Sequence, residues 1–300
     1  MATVSEPPVA QPPLAAPRQI SWPALGWFTA LLIAAYFPIL VKLVNQWSTD
    51  ADFTHGFLVP VVALYLVWQR REEILQVERK PAWWGAGLLL WGTLQAFIGM
   101  LGAELFLQRT AFLISLVGIL LVLGGTRLVR ALAFPLLLLP FMIPIPAVIY
   151  NQITFPLQLF ASRVAEFTLD LMGIPVLRDG NILELASQPL SVAEACSGIR
   201  SLLALTFMSL VYAYFFDRKV WMRWVLLAAT VPIAIIANAG RVTLTGYLSE
   251  IDTDLATGIF HEMEGWVIFV IAFVMLIAFH GAVNAAYRMI KRLPKHAEVS

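Results

Sequence analysis

Charge is scarce in this chain. Only 13% of its 300 residues are Asp, Glu, Lys or Arg, about half the share of an ordinary soluble domain, and 60% are hydrophobic. That balance excludes a soluble globular enzyme. The formal net charge is +1, so no basic field is available to hold nucleic acid, and none is expected as a partner. There is one cysteine, Cys196, among four histidines. A single thiol closes no internal disulfide, so any role it has is as a thiol. No ligand-like spacing of His and Cys is present, and neither a metal nor another cofactor is expected.

What the chain has instead is a succession of apolar runs. The mean hydropathy is +0.79, enough for several spans of about 20 residues each. The runs lie near residues 24–44, 56–69, 83–101, 105–124, 129–150, 197–216, 220–240 and 264–284. They predict an all-α membrane protein with about eight transmembrane helices in a lipid bilayer. Residues 1–23 are proline-rich and lack the apolar core of a signal peptide, so they read as a disordered N-terminal tail. Residues 24–290 form the polytopic membrane domain, and 291–300 a cytoplasmic tail. The fifth run holds Pro135, Pro140, Pro144 and Pro146 and reads as a broken span.

Lysine and arginine set the orientation. Lys42, Arg109, Arg163, Arg178, Arg200 and Arg241 fall on one side of an eight-span arrangement, and the other fourteen of the 20 basic residues fall on the opposite side. The richer side is cytoplasmic, with both termini inside. The longest segment on the poorer side is the loop 151–195. Its first part sets Phe155, Leu159, Val164 and Leu171 near one helical stripe, with Arg163, Glu166 and Asp170 opposite. That pattern predicts an amphipathic helix on the outer leaflet. Its second part has strand-like runs around Asp179-Gly180, which predict a small β-hairpin.

Three separate runs carry chemistry to that outer side. Ser191 and Glu194 fit a capping box that starts the sixth span near residue 192 and places Cys196 in its first turns. A helix N-terminus favours negative charge, hence the nucleophilic thiolate. Arg200, four residues on, adds positive potential from the same face. Arg241 closes the seventh run with Asn238 one turn before it, and His261 opens the eighth at the same end. Taken singly, a membrane cysteine is ordinarily a small packing residue, and ionisable groups at span ends ordinarily snorkel. Together, a thiol, a cation and an acid/base group suit acyl transfer. His55, at the outer start of the second run, is a supporting candidate, although one histidine alone reads as an interfacial hydrogen-bonding residue. The acids Asp50, Asp52, Glu104, Glu184, Glu250, Asp252 and Asp254 read as a solvated outer rim.

These residues also carry a family likeness. Thr54-His55-Gly56-Phe57-Leu58-Val59-Pro60 resembles the Ser-His-Gly-x-Leu-Val-Pro signature of exosortases, with threonine where serine is usual. Ala195-Cys196-Ser197-Gly198-Ile199-Arg200-Ser201 resembles their nucleophile motif. Asn238-Ala239-Gly240-Arg241-Val242 and His261 with Gly265 resemble their arginine and histidine motifs, in the same order. The resemblance implies a multi-pass cysteine sorting enzyme of Gram-negative inner membranes, with its site facing the periplasm. It implies substrates that are exported proteins ending in a Pro-Glu-Pro motif, a transmembrane helix and a basic tail, and a link to exopolysaccharide production. In that reading Cys196 forms the acyl-thioester, Arg241 steadies the oxyanion, and His261 moves protons, with Arg200, Asn238 and His55 in support. The alternative is a non-catalytic polytopic subunit of a polysaccharide export or assembly complex, with Cys196 as packing.

Overall fold

The structure, a computed structural model, describes residues 21–78, 80–192, 198–217, 219–252 and 258–292. At 51, 198–200, 258–264 and 292 it describes the backbone alone. The chain divides into two compact units, Met1–Asn45 with Phe57–Ile143 and Gln46–Gly56 with Pro144–Ser300. The protein is an all-α membrane protein with one small sheet.

The eight apolar runs do not map one to one onto straight helices. Among the described residues, four helices are long and apolar enough to cross a bilayer, or up to six if each of two bent pairs counts as one span. The first run is bent by 70° between α1 (Trp22–Ala35) and α2 (Phe37–Thr49). The second contributes only the twelve residues of α3 (Leu58–Gln69), which a short α4 (Arg71–Leu75) follows. The proline-rich fifth run breaks as expected, into α7 (Thr126–Ala131), α8 (Ala133–Leu138) and a 3₁₀ turn Leu139–Met142. The next helix is α9, Ala147–Leu171. The predicted amphipathic helix thus begins four residues earlier than its hydropathy boundary, just after Pro146, which cannot continue a preceding helix.

In the first unit, α5 (Trp84–Leu101) and α6 (Leu105–Leu123) form the main hairpin. Gly85, Gly92 and Gly99 recur every seven residues along α5 and face α6. A Cβ at each would stand 2.6 Å from Leu121 Cβ, 2.3 Å from Ser115 Oγ and 2.9 Å from Gln108 Cγ respectively. Small residues let membrane helices approach closely, and this seam uses them on a heptad repeat. Tyr36, at the α1–α2 bend, shares a 3.2 Å hydrogen bond with Ser115. Glu104 caps α6 by accepting from the Leu107 N–H at 3.0 Å. Gly125, which opens α7 at φ +85°, admits no side chain, because a Cβ there would lie 1.7 Å from the Lys80 carbonyl oxygen.

The second unit joins α9 to a three-stranded antiparallel sheet and three helices. The strands β1 (Val176–Asp179), β2 (Ile182–Leu185) and β3 (Pro189–Ser191) pair in chain order. The expected hairpin is present and gains this third strand. Its loop is Gly180-Asn181, with Gly180 at φ +60°, a conformation in which glycine carries no steric cost. Leu183 and Leu185 point inward while Glu184 points out, the period of two that a half-buried strand requires. The sheet closes over α9 through a core of Ala161, Ala165, Leu169, Leu183, Leu190 and Val192. The helices that follow are α10 (Gly198–Phe216), α11 (Val220–Ile251) and α12 (Gly258–Arg292). At 32 and 35 residues, α11 and α12 exceed the roughly 20 residues a bilayer core needs.

A polar clasp ties α10, α11 and α12 at the 217–219 junction. The buried Asp217 carboxylate accepts from His280 Nε2 at 3.0 Å and from the Lys219 N–H at 2.7 Å. An ionised carboxylate only accepts, so Nε2 carries the imidazole proton, and the other ring nitrogen, Nδ1, pairs with Tyr212 Oη at 2.9 Å. Asn284 donates its amide to the same carboxylate at 3.5 Å and accepts at 2.7 Å from Lys219, whose ammonium stands 4.7 Å from the Tyr287 ring centre. Burial disfavours the Asp217 charge. Hydrogen bonds from His280, Lys219 and Asn284, together with the Lys219 charge, outweigh that effect and hold its carboxyl below the ordinary carboxylate range.

Candidate active site

Arg241 is a candidate whose surroundings the structure describes. It lies well into α11, where Ala239 and Val242, fully or nearly fully buried, belong to the core beneath the sheet. With its two neighbours held there, Arg241 is itself buried, at 6% exposure. Its guanidinium turns to α12 and rests on Gly265, where a Cβ would stand 3.4 Å from Cζ and Nη2. His261 precedes Gly265 by four residues, one turn of the same helix. Its side chain lies outside the description, as does that of Arg200 on α10.

Cys196 lies outside the described residues, as does Glu194 of the expected capping box, but the chain on either side of them is fixed. Val192, fully buried, sits in the same core as Ala239 and Val242, and its N–H donates to the Asn181 carbonyl at 2.9 Å. Leu202 of α10 lines a small cleft with Asn238 of α11 and Leu157 of α9. The β2–β3 loop is pinned to the last turns of α11, where the Ser187 N–H donates to Glu250 at 2.9 Å and Ser187 Oγ pairs with Ser249 Oγ at 3.1 Å. Segments before and after Cys196 are therefore anchored to the length of α11 that carries Asn238 and Arg241.

His55 occupies a 3₁₀ turn, Ala51–Phe57. Its ring nitrogens are buried and its ring lies 6.4 Å from that of Phe53. Tyr150 of α9 fastens this turn by donating to the Asp52 carboxylate, and its ring meets Phe53 at 6.4 Å. Trp47 presses on Gly56, where a Cβ would lie 2.4 Å from the indole nitrogen. The glycine after His55 is thus a packing requirement.

Several acids expected on the solvated rim also have partners: Asp52 with Tyr150, Glu104 at the α6 cap and Glu250 with Ser187. These partners have a simple cause. Each stands beside backbone N–H groups or a hydroxyl that the fold delivers, and composition does not report those. Hydropathy also gives no sign of Tyr150, Trp47 or the seat that Gly265 gives Arg241. The last had a usable signal, since a glycine four residues after His261 falls on the same helical face.

An apolar groove of about 490 Å³ runs between α9 and α11 beside Arg241, lined by Phe160, Val164, Met172, Ile236, Gly240 and Tyr247. A Cβ at Gly240 would meet nothing within 4 Å. Among the described residues no three His, Cys, Asp or Glu side chains converge on a metal-sized site. The arrangement provides a buried guanidinium beside a glycine-faced helix, with a histidine position one turn away along that helix.

In comparisons with known proteins, the family described as Transmembrane exosortase matches residues 47–278. Compared with curated proteins and with solved structures, the chain has no match.

Proposed function

Because this chain belongs to the transmembrane exosortase family, we propose that it is a cysteine transpeptidase that cuts the C-terminal sorting signal from exported membrane proteins. The family suggests a membrane sorting protease or transpeptidase. The finer reading concerns the Pro-Glu-Pro signal, the thioester on Cys196 and the periplasmic placement of the site in the inner membrane. One observation carries it. Arg241 is seated on Gly265, one turn from His261, while the core around its neighbours also holds Val192, four residues before Cys196. Four residues of extended chain reach at most about 14 Å, a span that supports the proposed approach of the thiol to this cation.

The chemistry runs in two balanced halves. The Cys196 thiolate attacks the scissile carbonyl carbon, forming a C–S bond, and the electron pair moves to the oxygen. Arg241 stabilises that oxyanion by charge, since its guanidinium holds its protons too tightly to act as the acid. The intermediate collapses, the C–N bond breaks, and His261, protonated, gives its proton to the leaving amine. An acceptor amine or water then attacks the thioester carbon and loses a proton to His261. The C–S bond breaks and the thiolate is restored. Arg200 adds positive potential near the thiol, and Asn238 and His55 support the site. In this reading residues 24–290 are the catalytic membrane domain, with tails at 1–23 and 291–300.

The test is co-expression with a tagged protein ending in Pro-Glu-Pro, an apolar helix and a basic tail, its size followed by gel. Loss of the tail with wild type and not with Cys196→Ser is the expected result. Equal processing by both proteins would remove the nucleophile.

A further inference from the structure

We propose that Arg109 is an anion-binding residue of the first unit and that its ligand is the phosphate of a phospholipid headgroup. Arg109 is the one charged residue in α6, an otherwise apolar helix, and it is only 4% exposed. Its Nε and Nη2 are both buried and have no hydrogen-bond acceptor among the described residues. These two nitrogens lie on one edge of the guanidinium with their N–H bonds directed the same way. That fork grips two oxygens of a phosphate or carboxylate.

The neighbours that would ordinarily satisfy it are committed elsewhere. Glu104, the acid nearest in sequence, attracts Arg109 through its charge, but its carboxylate is committed to capping the helix at Leu107 and makes no hydrogen bond to Nε or Nη2. Gln108 gives its amide nitrogen to the Gly99 carbonyl at 2.8 Å. A buried guanidinium without a hydrogen-bonded counter-group is strongly unfavourable, so an external anion is the natural partner.

Depth and surroundings favour a lipid. Arg109 is the fifth residue of α6, about 6 Å along the axis from its start, a level at which headgroups meet acyl chains. At this end of the hairpin Phe97, Met100 and Leu101 of α5 are exposed apolar side chains with the character of a bilayer contact.

The test uses delipidated full-length protein in detergent. Bound lipid is counted by native mass spectrometry, and thermal unfolding is followed on adding phosphatidylglycerol, diacylglycerol of the same chains, or inorganic phosphate. Wild type is expected to retain phosphatidylglycerol and to rise in Tm with it, and not with diacylglycerol. Arg109→Met should bind it about ten- to a hundredfold more weakly, the worth of a charged hydrogen-bond pair. Arg109→Lys, which keeps the charge and loses the fork, should fall between them. Equal stabilisation by phosphatidylglycerol and diacylglycerol overturns the proposal without recourse to any variant. So does a methionine variant that is the more stable at every lipid concentration, the behaviour of a guanidinium that stays unpaired. Stabilisation by inorganic phosphate that matches the lipid, or by a carboxylate-bearing peptide in its place, overturns the lipid assignment.

Discussion

The guanidinium of Arg241 rests against the backbone of Gly265, with 3.4 Å between its Cζ and the place a Cβ would take. An alanine at that distance makes ordinary contact, whereas a branched side chain must push the guanidinium away. Gly265→Ala is therefore expected to process substrate at close to the wild-type rate. Gly265→Val is expected to lose about a hundredfold or more, the scale of removing one oxyanion donor. Rates of tail loss in the co-expression assay, with thermal melts to show that both variants fold, check this. Full activity in the valine variant would mean that Arg241 does not act from its seat on Gly265.

The sheet matters because it delivers the chain to Cys196. Leu183 is fully buried beneath it, in the core that contains Val192, Ala239 and Val242. Leu183→Ala is expected to cost about 2–5 kcal/mol and to slow processing, because both the approach to Cys196 and the placement of Arg241 depend on that core. Leu177, on β1 and 70% exposed, is the internal control. Leu177→Ala should change neither Tm nor rate. Equal effects from the two substitutions would show that the sheet acts as a surface, not as a support.

The α5–α6 seam offers a prediction independent of catalysis. A Cβ at Gly92 would lie 2.3 Å from Ser115 Oγ, the atom that Tyr36 engages at 3.2 Å. Gly92→Ala should overpack the hairpin by about 1–3 kcal/mol. Adding Ser115→Gly should restore part of the loss, since the remaining close contacts are backbone atoms at 3.1–3.2 Å. Chemical unfolding of the single and double variants in detergent measures the coupling, and additive losses would contradict it.

Much of this architecture is legible in the residues. Apolar runs mark the spans because a bilayer has no other solvent for backbone polar groups than the helix itself. Asp179-Gly180-Asn181 marks the hairpin because the loop needs a positive φ that glycine adopts at no cost. The four prolines after residue 134 mark the broken segment. Bends are another matter. The 70° turn at Tyr36 falls just before Pro38, which has no N–H to continue the first helix, but hydropathy, which averages over such a residue, is blind to it. The same holds for the candidate site. Types and order of residues name Cys196, Arg241 and His261, but the seat on Gly265 and the Tyr150–Asp52 bond join distant parts of the chain. His280 illustrates the limit best. Its position in the sequence separates it from the outer cluster, yet nothing local foretells its place between Asp217 and Tyr212.

That clasp sets the acid limit of the second unit. Asp217 has its carboxyl held below the ordinary range, by His280, Lys219 and Asn284 acting against burial. A depressed native value means that the unfolded chain takes up the proton first as pH falls. The clasp therefore stabilises the fold fully above about pH 4, the ordinary carboxylate value, and progressively less below it, until the native carboxyl is also protonated. Asp217→Asn removes this dependence. It retains one carbonyl oxygen able to accept from His280 or Lys219, but not the charge. Thermal melts between pH 3 and pH 7 should show wild type more stable than Asp217→Asn on the neutral side and the two converging as pH falls below about 4. His280→Gln should narrow the gap from the other side, because it removes the first hydrogen bond that favours the ionised form. Parallel curves for wild type and Asp217→Asn across the whole range would mean that the carboxylate charge adds nothing to the junction of α10, α11 and α12.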